Sequence, residues 1–97
     1  MYETRLVGVS HRPIEIQILI EELVPGDKLT LVREPDNRYD SNAIQLHQGD
    51  DFLGYVRGTD AQEIAPFIDD GTEFVAEVIA GGTPRQPKVL IREVAAA

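Results

Sequence analysis

The residues of this 97-residue chain with the clearest chemical potential lie in a polar loop, residues 34–42, between two apolar runs. Within it, Tyr39 and Asp40 stand side by side. An ionised aspartate accepts a hydrogen bond from a ribose hydroxyl and repels a phosphate at the same point, which favours the end of a nucleic acid over an internal nucleotide. A tyrosine ring offers a flat face on which a base stacks for about 1–3 kcal/mol. The polar loop is therefore our candidate binding surface.

Each of these side chains also has a structural interpretation. Asp40 could form an Asx turn that holds the loop, and Tyr39 could be a half-buried residue at the rim. We interpret Asn42 as structural, because its amide can satisfy backbone groups where the next strand begins. For Tyr39 and Asp40 the binding and structural interpretations both stay open at this point.

Two arginines, Arg33 and Arg57, leave predicted strands at their ends, where a small barrel tends to place its ligand face. Each could supply the positive charge that a phosphate requires. The alternative for both is an ion pair with Glu34 or Asp60.

A further pair of candidates, His11 and Arg12, follows the first predicted strand. Imidazole and guanidinium groups can both stack on a base, so this pair could supply a platform. The alternative is an ordinary surface turn.

Residue types elsewhere in the chain argue against catalysis. The chain has no cysteine and two histidines, His11 and His47, so we propose neither a thiolate nor a zinc site. The acidic pairs at 50–51 and 69–70 are neighbours in sequence only, and the glycines at 81–82 lack the lysine of a phosphate-binding loop. We therefore expect no enzyme activity, no metal and no cofactor.

Size and charge limit the remaining options. We expect one domain over residues 1–97, since 42% of the residues are hydrophobic and the chain is short. No long apolar run and no secretory signal is found, so we expect a cytoplasmic protein with no membrane partner. The net charge of −8 argues against a broad groove that tracks phosphates, whereas seven arginines still allow discrete contacts.

Hydrophobic patterning predicts mainly β structure. A capping box at Thr59 and Gln62 marks one helix that ends at Gly71, and Pro66 predicts that it is short or interrupted as two single turns. The connector at residues 81–87 is rich in glycine and proline and is predicted to be mobile. We predict a small OB-like β-barrel of about six strands with one short helix, or alternatively a two-layer sheet that the helix plugs at one end. The strand candidates are residues 5–9, 14–20, 28–33, 43–47, 52–56, 74–80 and 88–94.

Three segments together carry a family resemblance. They are LVREPDNRYDSNAI at 31–44, GYV at 54–56 and the helix ending FIDDG at 67–71. This combination resembles the HIRAN domain, a small β-barrel module of Rad5-type and helicase-like transcription factor SNF2 proteins that also occurs alone in bacteria and phages. The resemblance implies binding of the 3′ end of single-stranded DNA, with the free hydroxyl held in a pocket, and a role in DNA repair.

The resemblance also implies roles for individual residues. Asp40 resembles the acceptor for the 3′-hydroxyl, Tyr39 the stacking platform and Asn37 a polar contact to phosphate or sugar. Tyr55 stands where the family has a histidine near the DNA backbone. The Arg-Tyr-Tyr segment of the eukaryotic members reads Ser10-His11-Arg12 here.

The sequence thus supports a nonenzymatic DNA-binding module as the first hypothesis. A protein-interaction or accessory domain with a degenerate nucleic-acid site is the alternative, favoured by the acidic balance, and a self-associating barrel is a third option. The predicted DNA-binding residues are Arg33, Asn37, Tyr39, Asp40, Tyr55, Arg57, His11 and Arg12.

Overall fold

A computed structural model describes residues 1–94, in which six strands form one closed barrel. Every neighbouring pair is antiparallel, and the strand order around the barrel is β1-β4-β3-β2-β5-β6. The predicted OB-like β-barrel is confirmed. The elements are β1 (Tyr2–Val7), a 3₁₀ turn (Val9–His11), α1 (Ile14–Glu21), β2 (Lys28–Arg33), β3 (Ile44–Gln48), β4 (Asp51–Val56), α2 (Gly58–Asp69), β5 (Phe74–Thr83) and β6 (Gln86–Glu93).

Alternating side chains of the strands fill the barrel. Leu6, Leu46, Leu53 and Ile91 are fully buried there, and Ile64 of α2 packs into the same core. In a barrel of this size, side chains occupy the interior, so a ligand must bind outside it, on an outer strand face, at strand ends or at loops. We therefore expect a binding site outside the filled core.

Strand register brings the polar loop to one end of β4. Arg33 pairs with Ile44 at the base of the loop, and Tyr55 lies between Gln45 of β3 and Val7 of β1. The close approach of β1 and β4 requires a glycine at position 54, because a Cβ there would lie 2.5 Å from the carbonyl oxygen of Val7. The loop, Tyr55 and the start of α2 consequently share one end of the barrel.

The predicted strand at residues 14–20 is wrong, since this segment forms α1. Its isoleucines alternate, but Ile16 and Ile20 are four residues apart and pack against the core, whereas Ile14 and Ile18 are exposed. Helical spacing places residues i and i+4 on one face. The alternating isoleucines therefore divide between two faces of the helix, with one pair buried and the other exposed. Tertiary packing on one face has overridden the strand propensity of isoleucine.

The predicted cap and break of the second helix are also wrong. The N-cap of α2 is Arg57, without a side-chain cap hydrogen bond, and its carbonyl accepts from the amides of Asp60 at 3.0 Å and Ala61 at 2.9 Å. The helix continues through Pro66, which is exposed near its end. A proline there loses one hydrogen bond on the solvent side, while buried Ile64 keeps the helix packed.

Two further boundaries differ from the predictions. The first strand ends at Val7 because Gly8 adopts φ +77 and starts the 3₁₀ turn, so β1 lies earlier than residues 5–9. The connector at residues 81–87 belongs mostly to β5 and β6, and the amide of Gln86 donates to Oγ1 of Thr83 at 3.0 Å. Hairpin pairing therefore replaces the predicted mobile linker. Within residues 1–94, no helix has both the length and the apolar character needed to cross a bilayer.

Candidate functional site

Side-chain hydrogen bonds to the backbone fix the shape of the polar loop. Oδ1 of Asn37 accepts from the amides of Tyr39 and Asp40, each at 2.9 Å. Oδ1 of Asp40 in turn accepts from the amide of Asn42 at 2.9 Å. Both are Asx turns, which hold a loop through local side-chain acceptors. Asn37 and Asp40 therefore hold the shape of the loop, which is the structural interpretation given above for Asp40. Any contact with a ligand must come from side-chain atoms that these turns do not use.

A concave surface, which we call the loop pocket, adjoins this loop and has a volume of about 230 Å³. Tyr39 stands at its edge with 90% of its surface exposed, so the half-buried interpretation of this residue is wrong. Strands β1 and β4 contribute two valines to its lining, and the loop contributes polar side chains. The lining residues are Val7, Asn37, Tyr39, Asp40, Ala43, Tyr55, Val56 and Gly58.

One carboxylate oxygen of Asp40 is directed at the pocket. Among the described residues, no protein donor is hydrogen-bonded to Oδ2, whereas Oδ1 holds the amide of Asn42. A Cβ built on Gly58 would lie 3.9 Å from that Oδ2, so the carboxylate lies close to the start of α2, and both residues line the pocket. An ionised oxygen in this position can accept a hydrogen bond from a ligand hydroxyl.

Arg57 borders the pocket because it directly precedes Gly58. Its Nε donates to Oδ2 of Asp60 at 2.9 Å, the ion pair that was the alternative for this residue, and 49% of its side chain is exposed. The same Oδ2 accepts from Oγ1 of Thr4 at 2.7 Å. Arg57 is therefore anchored at one nitrogen while much of its side chain meets solvent.

Arg33 lies outside the loop pocket, and its donors are bound to the protein. Its Nε and Nη2 bind the carboxylate of Asp69 at 2.9 and 3.1 Å, and Nη1 and Nη2 donate to the carbonyls of Ala43 and Ser41 at 2.8 and 3.0 Å. The hydrogen bond that Arg33 donates to Asp69 raises the pKa of Arg33. The ion-pair partner is thus Asp69, and neither Glu34 nor Asp60 was correct for this arginine. Its place is at the base of the loop.

His11 and Arg12 also lie outside the loop pocket. Arg12 stacks on Phe52, with Cζ 4.0 Å from the ring centroid and Nε donating to the Phe52 carbonyl at 3.0 Å. Phe52 meets Tyr55 edge-on at 5.3 Å, so Arg12 supports the pocket wall from behind. His11 is exposed at the end of the 3₁₀ turn.

A residue that the sequence analysis missed holds this site together. The carboxylate of Glu34 accepts from Tyr55 Oη at 2.9 Å on Oε2 and 3.1 Å on Oε1, and also from Nδ2 of Asn37 and Nε2 of Gln45. The hydrogen bond from Asn37 lowers the pKa of Glu34 most, burial opposes it, and Gln45 and Tyr55 lower the pKa further. Burial first, and then Glu34, raises the pKa of Tyr55. The β2–β3 pairing, the β3–β4 register and the polar loop together assemble this cluster.

The structure therefore brings together four of the eight predicted site residues, namely Asn37, Tyr39, Asp40 and Tyr55. Arg57 borders them, and Arg33, His11 and Arg12 do not line the pocket. Among residues 1–94, no group of three or more His, Cys, Asp or Glu side chains is placed to hold a metal ion.

Comparison with known proteins places this site in context. The model of the HIRAN domain family matches residues 1–92. A crystal structure of a Lactobacillus plantarum protein superposes with a TM-score of 0.86 at 23% identity, covering 96% of this chain and 91% of that one. The HIRAN domain of human HLTF gives a TM-score of 0.76 at 19% identity, covering 95% and 73%. Among curated protein sequences, none matches the chain.

Proposed function

This chain belongs to the HIRAN domain family, as the resemblance indicated, and we propose that it is a nonenzymatic module that binds the 3′-hydroxyl end of single-stranded DNA in the loop pocket. One observation carries this proposal. A ring that is 90% exposed, Tyr39, stands beside a carboxylate, Asp40, whose Oδ2 faces a concavity of about 230 Å³. The ring can stack on a base, and the carboxylate can accept a hydrogen bond from a hydroxyl.

The stacking role of Tyr39 follows from its exposure. Its backbone amide is fixed by Asn37, so the ring is presented from an ordered loop. The Cζ atom of Arg38 lies over one face of the ring, 5.9 Å from its centroid, which adds a cation next to the stacking site. A base on this ring gains about 1–3 kcal/mol, largely independent of sequence.

The choice of a terminal nucleoside follows from Asp40 and from the size of the pocket, and the 3′ polarity is what the resemblance to the HIRAN domain implies. Pockets that enclose drug-sized ligands measure about 300–1,000 Å³, so the loop pocket fits one terminal nucleoside better than a continuing strand. A terminal hydroxyl donates to Oδ2 of Asp40, whereas a terminal phosphate is repelled by it. The same carboxylate disfavours an internal phosphodiester at that point.

The cations at the pocket indicate how strongly salt affects binding. Arg38 and Arg57 are the exposed arginines of the loop and its facing wall, and the whole chain carries a net charge of −8. Single-stranded DNA gives a slope of about −0.7 in log K against log salt per neutralised phosphate, so two contacts predict about −1.4. We therefore expect modest, salt-sensitive affinity.

Fluorescence anisotropy with a 5′-labelled oligonucleotide at low salt tests the proposal. Unlabelled linear single strands should displace the probe, whereas circular single strands of the same base composition should not, because they lack an end. Tyr39→Ala should weaken binding, and Phe67→Ala serves as the matched control, since Phe67 is an exposed aromatic that does not line the loop pocket. Equal displacement by circular DNA would contradict end binding.

A protein-interaction or accessory role is the second candidate. Two guanidinium groups predicted to contact DNA, Arg33 and Arg12, are engaged by Asp69 and Phe52, and the net charge is acidic. This candidate predicts that the chain shows no salt-sensitive binding of single strands and retains protein partners from nuclease-treated host lysate.

A further inference from the structure

The loop pocket is held by one carboxylate that meets no ligand in the proposed function. Glu34 accepts from Asn37, Gln45 and Tyr55, which belong to the polar loop, β3 and β4. We propose that Glu34 is a positioning residue for DNA-end binding, which sets the amide orientation of Asn37 and the ring position of Tyr55. This inference rests on the proposed function of the pocket.

The orientation of the Asn37 amide is the first step. A carboxylate only accepts hydrogen bonds, so Glu34 requires Nδ2 of Asn37 to face it. Oδ1 then points the other way, where it accepts from the amides of Tyr39 and Asp40. A reversed amide would place Nδ2 against two N–H donors and Oδ1 against a carboxylate. The hydrogen bond that Glu34 accepts therefore determines how the stacking ring and the hydroxyl acceptor are presented.

The position of Tyr55 is the second step. Its hydroxyl donates to Glu34, so the phenol is bound to the protein and the ring forms the pocket wall. Phe52 packs against that ring in a T-shaped arrangement, with the centroids 5.3 Å apart. Tyr55 consequently contributes shape to the pocket, and its hydroxyl is not a donor for DNA.

An exchange of acid and amide tests this assignment. Glu34→Gln keeps the size of the side chain but turns one acceptor into a donor that faces either Asn37 or Gln45, and Asn37→Asp alone places two carboxylates together. In the double variant, the amide nitrogen introduced at position 34 can donate to the carboxylate introduced at position 37, and the amide oxygen can accept from Tyr55. The second oxygen of the new carboxylate still accepts from the amides of Tyr39 and Asp40. The double variant Glu34→Gln/Asn37→Asp also has the same net charge as the parent.

We expect each single variant to bind a 3′-hydroxyl oligonucleotide about tenfold more weakly, the equivalent of one misplaced hydrogen bond, and the double variant to return to within about threefold of the parent. Circular dichroism and the midpoint of thermal unfolding, measured on all three, show whether folding is retained. The proposal would be overturned if the double variant loses as much binding free energy as the two single variants lose together. If a single variant fails to fold, the double exchange must restore both folding and binding.

A spectroscopic measurement separates this inference from the proposed function. Absorbance titration of the three tyrosines should show one phenol with a pKa above the usual 10.0 in the parent, assigned to Tyr55 by Tyr55→Phe. Glu34→Gln should lower that pKa and shift the amide resonances of Tyr39 and Asp40. If the parent binds no DNA while these changes occur, the proposed function fails and the positioning of the loop stands. If neither the phenol nor the amides respond, the positioning claim fails.

Discussion

Arg33 at the end of β2 and Asp69 at the end of α2 form a two-point ion pair, with Nε–Oδ1 at 2.9 Å and Nη2–Oδ2 at 3.1 Å. The two residues are 36 positions apart in sequence. Because the same guanidinium also binds the carbonyls of Ser41 and Ala43, it ties the polar loop to both the barrel and the helix. The loop pocket is therefore presented by a braced loop.

The fork geometry of this arginine leads to the first prediction. Arg33→Lys keeps the charge but cannot reach Asp69 and two carbonyls from one ammonium group. We expect a lower midpoint of thermal unfolding and weaker DNA binding. Asp69→Asn is the matched comparison and should have the smaller effect, because it leaves both carbonyl contacts in place. Equal behaviour of Arg33→Lys and the parent would show that the brace does not support the pocket.

Filling the loop pocket gives the second prediction. A Cβ at position 58 would have one neighbour within 4 Å, Oδ2 of Asp40 at 3.9 Å, so a larger side chain fits the backbone but projects into the pocket. Gly58→Leu should reduce DNA affinity by about tenfold or more, since a branched side chain would occupy much of a small concavity. Thr59→Leu is the control, because Thr59 is exposed and does not line the pocket. Anisotropy and circular dichroism on both variants decide the matter, and unchanged affinity of Gly58→Leu would place the ligand elsewhere.

The third prediction separates the ring of Tyr39 from its hydroxyl. Stacking uses the ring alone, so Tyr39→Phe should stay within about twofold of the parent. Tyr39→Ala should lose roughly 1–3 kcal/mol, or about 5- to 150-fold in affinity. Because Tyr39 is 90% exposed, neither change should alter thermal stability. A loss of affinity in Tyr39→Phe equal to that in Tyr39→Ala would indicate a hydrogen bond in place of stacking.

The fourth prediction concerns acid stability. The pKa of Glu34 is lowered in the folded state, chiefly by the hydrogen bond from Asn37, so this carboxylate binds its proton less tightly when the chain is folded. Its contribution to stability is present above the unfolded pKa of 4.5 and is lost as pH falls through the lower folded pKa. The pKa of Asp69 is also lowered, chiefly by the hydrogen bond that it accepts from Arg33. Thermal unfolding of the parent and Glu34→Gln as a function of pH isolates Glu34, since their difference should narrow below pH 4.5. A constant difference across this range would contradict the assignment.

The barrel was accessible to sequence reasoning because short strand-like runs alternate with clear turn signals. The loop with Tyr39 and Asp40 was accessible because a dense polar segment between two strands must be displayed. Helix α1 was not, since alternating isoleucines carry strand propensity and only packing on the core selects the helical face.

The support of the pocket could not be predicted from local sequence. Glu34 becomes an acceptor for Tyr55 and Gln45 only when the β3–β4 register places those residues opposite one another. Arg33 was predicted to meet phosphate because it is a cation beside the loop. Its partner Asp69 comes from a distant helix end, and no local pattern indicates that meeting.

The most direct test compares oligonucleotides that differ only in the chemical group at the 3′ terminus. The parent should bind a free 3′-hydroxyl end at least about tenfold more tightly than the same strand with a 3′-phosphate, because Oδ2 of Asp40 accepts from the hydroxyl and repels the phosphate. Asp40→Asn should remove most of this difference, because the uncharged amide can form a hydrogen bond with either the hydroxyl or the phosphate. Equal affinity of the parent for both ends would contradict the account.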